Sequence, residues 1–385
     1  MKRRPYRFRK PKQLGKYQVM FDMMPGKWIS TGTDDEVERV IFAEKYLQKA
    51  IQTSDKQITL REFSKGFFDE DRYGTRDRDI QYGHRYDDQY YQKHDGHMRN
   101  YILPRFGDWL IDSITDVAIE DFFLNLKQYK TNRKVSDDLK NKIRATLEIV
   151  LQEAHRQGYV SHNVAKGMRK ITTHPENPRE PFSTEEMKTM FPDDDDRLER
   201  FWGSLMWSTY FLIMRDTGFR PGTVAGLQIE NYHPDLHGLY TENSIHAATG
   251  ELRHQIKTSH KGKKYQVGLL TAQTERFLVR LIEQCKKKKR TLLFISDKGN
   301  TITPYTSNKH FRLRIFSYIP LRGRTQYCLR HSFDTDLAGE ITDERLNELM
   351  AHTKYRKDYD HRSAERILEQ LQPIRDVLEK RRGSN

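Results

Sequence analysis

The chain is poor in cysteine, with only Cys285 and Cys328 in 385 residues and no CxxC pair. Two cysteines cannot build a disulfide framework or a thiolate zinc module, so the pattern fits a reducing, cytoplasmic setting. Long apolar runs are missing too. None approaches the roughly 20 residues of a membrane-spanning helix, and the basic N-terminus lacks the apolar core of a signal peptide. Hydrophobic residues reach only 36% while charged residues make up 32%, which suits several domains with large polar surfaces better than one globule. No internal repeat is visible.

What the chain does have is positive charge. Lys and Arg number 68 against 54 Asp and Glu, a net charge of +14, and such an excess favours a polyanionic partner. Residues 1–16, MKRRPYRFRKPKQLGK, carry eight Lys or Arg and no acid. A block of this kind is without structure when alone. Arg3, Arg4, Arg7, Arg9, Lys10 and Lys12 are its candidates for phosphate contact. Next, KYQVMFDM places Tyr17, Val19 and Phe21 on one face of a strand. Pro25-Gly26 turns the chain, KWIST returns it, and DEVERVIFAEKYLQKAI reads as a helix. Residues 1–55 therefore predict a basic leader and a small α+β module, whose narrow sheet suits a major groove.

Residues 56–172 predict a helical domain with a polar insertion at about 68–97. His84, His94 and His97 lie in that insertion, but without helical i, i+4 His spacing or a Cys partner they predict a solvated loop or irregular helix and no metal site. In SDDLKNKIRATLEIVLQEAHRQG, Ile143, Leu147, Val150, Leu151 and Ala154 share one helical face, and Gly158 caps its end. THPENPREPF, residues 173–182, is a proline-rich linker. Ser183 and Glu186 form a capping box that opens the last domain, residues 183–385, which reads as mostly helical. Within it, GELRHQIKT and KKYQVGLLT flank SHKGK and predict a β-hairpin with a lysine-rich tip. The expected fold is thus mainly α with small β elements.

Four pieces of the last domain carry chemistry. In TGFRPGTVAGL, Arg220 opens a helix, where a guanidinium can add a bidentate phosphate clamp. At the hairpin tip, Lys257 can reach a leaving oxygen as general acid, with Lys261 as a competitor and Lys263 nearby. In YCLRHSF, Leu329, Phe333 and Leu337 mark a buried face, so Arg330 sits at the core's edge and needs an anionic partner. Finally, LMAHTKYRKDYDH places His352 after an apolar stretch and Tyr359 in a polar, basic setting, where a phenol can serve as nucleophile.

In combination these boxes resemble the tyrosine recombinases, the phage-type integrases. TGFRPGTVAGL looks like the family's first arginine box, IKT its catalytic lysine, LRHSF its second arginine box, and LMAHT followed by Tyr359 its histidine and nucleophile. The resemblance implies an arm-binding module, a helical core-binding domain and a catalytic domain. It implies the catalytic set Arg220, Lys257, Tyr327, Arg330, His352 and Tyr359, assisted by His331, with no cofactor and no metal. Lys261 and Lys263 join the basic leader as DNA contacts. Implied partners are double-stranded DNA at attachment sites, three further copies of the chain in a tetramer, and an excision factor and host DNA-bending protein. The implied activity is integration or excision of a mobile element through a 3′-phosphotyrosyl intermediate.

Three departures stand out. Tyr327 replaces the family's usual His or Lys, Thr223 replaces an acid, and the His352–Tyr359 interval is short, which makes Tyr355 a competitor. Two other readings share these residues. One is a type IB topoisomerase-like nicking-closing enzyme, and the other is a DNA-binding relative without chemistry.

Overall fold

The computed structural model describes residues 6–12, 14–21, 26–54, 57–69, 76, 79–80, 82–84, 86–129, 131, 133–173, 180–256, 265–351 and 363–382. The chain divides into two compact units, Met1–His174 and Pro175–Asn385.

In the first unit, β1 (Tyr6–Arg9), β2 (Gln18–Phe21) and β3 (Ile29–Ser30) form an antiparallel sheet beside helix α1 (Glu36–Ser54). The basic leader is therefore not simply an unstructured tail, because four of its residues are the first strand. The cause lies in its alternation. Tyr6 and Phe8 join Val19 and Phe21 in the core, where Tyr6 also donates its hydroxyl to Glu44 at 2.6 Å. Arg7 and Arg9 then face outward and pair in register with Met20 and Gln18. As the sequence suggests, Val19 and Phe21 share the buried face. Tyr17 lies just outside the strand, with Arg39 4.1 Å and Lys10 4.8 Å from its ring centre.

A second core in this unit gathers α2 (Leu60–Ser64), α3 (Asp88–His97), a π-helical turn (Met98–Ile102), α4 (Leu103–Phe106), α5 (Asp116–Leu124) and α6 (Asp137–Arg156). On α6 the expected face is buried, with Ile143, Leu147, Val150 and Ala154 at zero exposure. Gly158 then adopts φ 79°, a left-handed turn that glycine enters without strain.

The polar insertion departs from expectation. Its second half is a regular helix, α3, capped by Asp87 and buried at Tyr91 and His94. His94 and His97 both bond Thr146 Oγ1, at 2.7 and 2.9 Å, and His94 stacks on Phe68. Polar composition hid this packing because the buried positions are aromatic and imidazole rings rather than aliphatic ones. Burial, with His97 alongside, pulls the His94 pKa down to about 4, and burial with Lys142 and Lys93 lowers that of His97.

A histidine held neutral in the fold stabilises it above its unfolded pKa, near 6.5, and that stabilisation is lost as pH falls toward 4. Urea unfolding should therefore weaken between pH 6.5 and 4, with a slope of up to about 1.4 kcal/mol per pH unit for each proton taken up. His94→Asn should flatten that slope. An unchanged slope would show that the imidazoles do not govern acid stability.

The second unit centres on α9 (Leu205–Thr217), a helix apolar nearly all round, preceded by α7 (Thr184–Met190) and α8 (Asp195–Trp202). Ser183 and Glu186 form both halves of the capping box that opens α7. Around α9 lie α10 (Pro221–Ala225), α11 (Ala272–Lys287), α12 (Pro304–Ile315) and α13 (Tyr327–Leu337). A smaller core holds α14 (Asp343–Leu349), α15 (Ala364–Leu371) and α16 (Pro373–Arg382). Ile367, Leu368, Leu371, Ile374 and Leu378 are buried there, so the C-terminal helices pack on their own unit. Leu368 approaches Gly238 so closely that a Cβ there would lie 2.8 Å from its Cδ2.

The predicted hairpin is corrected. The stretch contains β4 (Tyr232–His233), β5 (Gly238–Thr241), β6 (Ser244–Ile245), β7 (Leu252–Arg253) and β8 (Gln266–Leu269). Among the described residues its two flanks do not pair. β7 pairs with β6, and β8 with β5 in a β4-β5-β8 sheet. The reason is burial. Every residue of β8 is buried and needs a partner inside the unit, whereas β7 is two half-buried residues at the periphery.

Candidate active site

Three chain segments converge on Arg330. The first is the end of α9. Gly218 closes that helix at φ 60°, and a Cβ there would lie 2.6 Å from Phe333 Cδ1 on α13. Glycine is thus required twice, for the left-handed turn and for the close approach. Arg220 follows as the N-cap of α10, ahead of Pro221, whose fixed φ suits a first helical position. Tyr210 pins this turn by donating its hydroxyl to Pro221 O at 2.8 Å. Arg220 is half-buried, and its Nη1 is buried with no hydrogen-bond partner. Thr223, where the resemblance anticipates an acid, is 2% exposed.

The second segment is α13 itself. Leu329 joins the large core while Phe333 and Leu337 join the smaller one, all at zero exposure, so the helix is wedged between two apolar clusters. Its N-cap Gln326 is fixed to α12, donating Nε2 to Pro304 O and Ser307 Oγ at 2.9 Å each. Tyr327 and His331 are half-buried one turn apart, with ring centres 5.4 Å from each other.

The third segment is the end of α14, where Met350 and Ala351 are buried and Ala351 turns left-handed at φ 47°. Arg330, 2% exposed, spans the other two segments. Its Nη1 donates to Gly218 O and its Nη2 to Met350 O at 2.5 Å. Two main-chain carbonyls therefore receive its fork. Burial, followed by the nearby charge of Arg220, pulls the Arg330 pKa down to about 10, against the opposing influence of Tyr327 and Asp334. Two like charges thus share a desolvated corner, and one of them keeps an unbonded donor.

The structure thus brings together Arg220, Tyr327, Arg330 and His331. Lys257, Lys261, Lys263, His352, Tyr355, Tyr359, Arg3 and Arg4 lie outside the described residues. Arg7, Arg9, Lys10 and Lys12 are exposed in the first unit. Among the described residues no group of three or more His, Cys, Asp or Glu is arranged to hold a metal, and no helix is long and apolar enough to cross a membrane.

Sequence reasoning passed over a charged pair one turn upstream of Arg220. Arg215 and Asp216 are buried at 2% and zero exposure, with Nε and Oδ1 2.7 Å apart. Asp216 Oδ2 accepts from Thr271 N at 3.0 Å and Thr271 Oγ1 at 2.7 Å, which ties the end of α9 to the start of α11. The only cue was a charged pair, RD, inside an otherwise apolar helical run.

No family model matches the chain, and no curated protein matches it. Solved structures do. An integrase of the Tn1549 transposon, in complex with a circular intermediate DNA, superposes with a TM-score of 0.59 at 15% identity, covering 82% of this chain and 99% of that one. A lambda integrase dimer bound to a COC′ core site gives 0.56 at 14% identity, covering 94% and 98%. A lambda integrase tetramer bound to a Holliday junction gives 0.52 at 14% identity, covering 94% and 99%. At these identities the likeness is one of architecture, and the chain has the tyrosine-recombinase fold.

Proposed function

We propose that this chain is a site-specific DNA recombinase that cuts and rejoins DNA through a 3′-phosphotyrosyl intermediate, and that it integrates or excises a mobile element. The observation that carries the reading is the Arg220–Arg330 pair, in which Arg220 lies close enough to lower the Arg330 pKa and keeps a buried Nη1 without a hydrogen-bond partner. A DNA phosphate is the anion that would complete it. Both guanidinium groups would clamp the non-bridging oxygens, where negative charge builds in the transition state.

In this reaction Tyr359 Oη attacks the scissile phosphorus as its phenol gives up its proton to solvent. A phosphorus–tyrosine bond forms, the phosphorus–O5′ bond breaks, and Lys257 protonates the leaving 5′-oxygen. Tyr327 and His352 donate hydrogen bonds to the phosphate, and His331 assists proton transfer. A second strand's 5′-hydroxyl reverses the step. The phosphotyrosyl bond conserves the energy of the broken phosphodiester, so no nucleotide cofactor enters.

Arg7, Arg9, Gln18 and Ser30 share the outer face of the N-terminal sheet and would read a major groove at arm-type sites. Tetramer formation on two DNA sites, and the involvement of an excision factor and a host DNA-bending protein, belong to the same proposal.

The test is a nicked suicide duplex bearing a candidate attachment site, incubated with the full chain without metal and run on a denaturing gel. A covalent protein–DNA band is the expected result. Tight binding without a band would leave a DNA-binding protein. A band together with relaxation of supercoiled DNA lacking the site would favour a nicking-closing enzyme.

A further inference from the structure

The second unit's first described residues lie directly against the helix that carries Arg330. Phe182 is 5% exposed, and its N–H donates to the buried Ser332 Oγ on α13 at 2.8 Å. Above its ring, 4.5 Å from the centre, sits the guanidinium of Arg324, three residues before α13 begins. Arg324 is 6% exposed and forks onto Glu186, with Nη1 and Nη2 donating to the two carboxylate oxygens at 2.6 and 2.5 Å, while Nη2 also donates to Pro320 O at 2.8 Å. Glu186 in turn accepts from Ser183 N at 2.9 Å, closing the capping box of α7.

The chain reaches Arg324 through two consecutive left-handed residues, Arg322 at φ 42° and Gly323 at φ 78°. A non-glycine residue in that region carries strain that surrounding contacts must hold. The bidentate Glu186–Arg324 pair is the contact placed to hold it. The helix bearing Arg330 and Tyr327 is therefore fastened to residues 182–186 at two points, one before its first turn and one just past Arg330.

We propose that Glu186 and Arg324 are positioning residues for DNA cleavage, setting the angle of α13 and hence the reach of Arg330 toward the scissile phosphate. This rests on the reading of Arg330 as a phosphate clamp. The pair touches no substrate and acts through the helix. Misplacement of a catalytic group by about 1 Å costs on the order of 10²-fold in rate, so a small tilt of α13 suffices.

The test compares wild type, Arg324→Gln, Glu186→Gln and Arg324→Lys as full-length chains, in two measurements. The first needs no DNA. Arginine side-chain ¹⁵N spectra follow the Nη groups of Arg330, with those of Arg215 in the same unit as an internal control. In both Gln variants the Arg330 signals should shift or broaden while those of Arg215 stay. Unmoved Arg330 signals would overturn the proposal whatever the enzyme's chemistry.

The second measurement is single-turnover cleavage of nicked DNA with either a natural phosphate or a methylphosphonate at the scissile position. On the phosphate the Gln variants should slow by about 10- to 100-fold at full reaction amplitude, with Arg324→Lys intermediate. On the uncharged methylphosphonate, which leaves Arg330 no charge to offset, their deficit should shrink. An equal deficit on both substrates, or a loss of amplitude at unchanged rate, would mean that the pair only supports folding. Absence of cleavage by the wild type would instead sink the recombinase reading, while the arginine spectra would still decide whether the pair positions Arg330.

Discussion

Tyr359→Phe is expected to remove the covalent protein–DNA band altogether, while Tyr355→Phe keeps it. Phenylalanine retains the ring and loses only the oxygen, so the variant has nothing to form the phosphorus–oxygen bond. DNA affinity, which in such proteins is spread over many phosphate contacts, should stay within a few-fold. The effect is the largest expected because the variant replaces the proposed nucleophile instead of weakening it. A free phenol has a pKa near 10, so the reaction also depends on cations that favour the phenolate. In the proposed mechanism Arg220 and Arg330, whose pKa the neighbouring Arg220 charge lowers, would supply that charge. Denaturing gels of both variants on a suicide duplex read the outcome directly. A band lost only in Tyr355→Phe would keep the reaction class and move the nucleophile by one helical turn's worth of sequence. A band persisting in both single variants and in the double variant would refute tyrosine catalysis at this position.

Much of this architecture was legible because burial in a helix leaves a periodic trace. The α6 face and the Leu329, Phe333 and Leu337 stripe follow from apolar spacing alone. Arg330 stood out because an arginine beside such a stripe needs an explanation, and Arg220 because it opens a helix directly after a Gly-Phe turn. The misreadings share one cause, which is partners distant in sequence. β8 pairs with β5 rather than with its neighbour across the lysine-rich turn, since strand pairing is decided by which edge covers an all-buried strand. The leader became β1 because β2 offered Tyr6 and Phe8 a core. His94 and His97 meet on Thr146, about fifty residues away, a contact with no local pattern. Arg330 adds contacts of the same kind, since the carbonyls of Gly218 and Met350 that receive its fork carry no sequence signature.

Arg330→Lys is the second variant with a large expected effect, and it separates charge from geometry. Lysine keeps a positive charge but replaces a planar fork with a single point, so it cannot serve both Gly218 O and Met350 O as the guanidinium does. One carbonyl left without a donor costs about 1–3 kcal/mol, read as a modest fall in Tm. Arg330→Ala would orphan both carbonyls and open a cavity, mixing unfolding with loss of chemistry, which makes lysine the better probe. Cleavage by Arg330→Lys should fall on the order of 10²–10³-fold, the usual cost of removing one transition-state donor. Its pH dependence gives an independent check. In the wild type burial and Arg220 pull the guanidinium pKa down, to about 10, still well above neutrality, and an anion bound between the two arginines would raise it. A lysine in the same buried corner starts from a pKa near 10.4 instead of above 12, and burial and Arg220 both push it down. Its residual cleavage should therefore fade earlier as pH rises, toward neutrality, while the wild-type rate is still level. A variant that cleaves at the wild-type rate with the wild-type alkaline limit would show that Arg330 braces Gly218 and Met350 and takes no part at the phosphate.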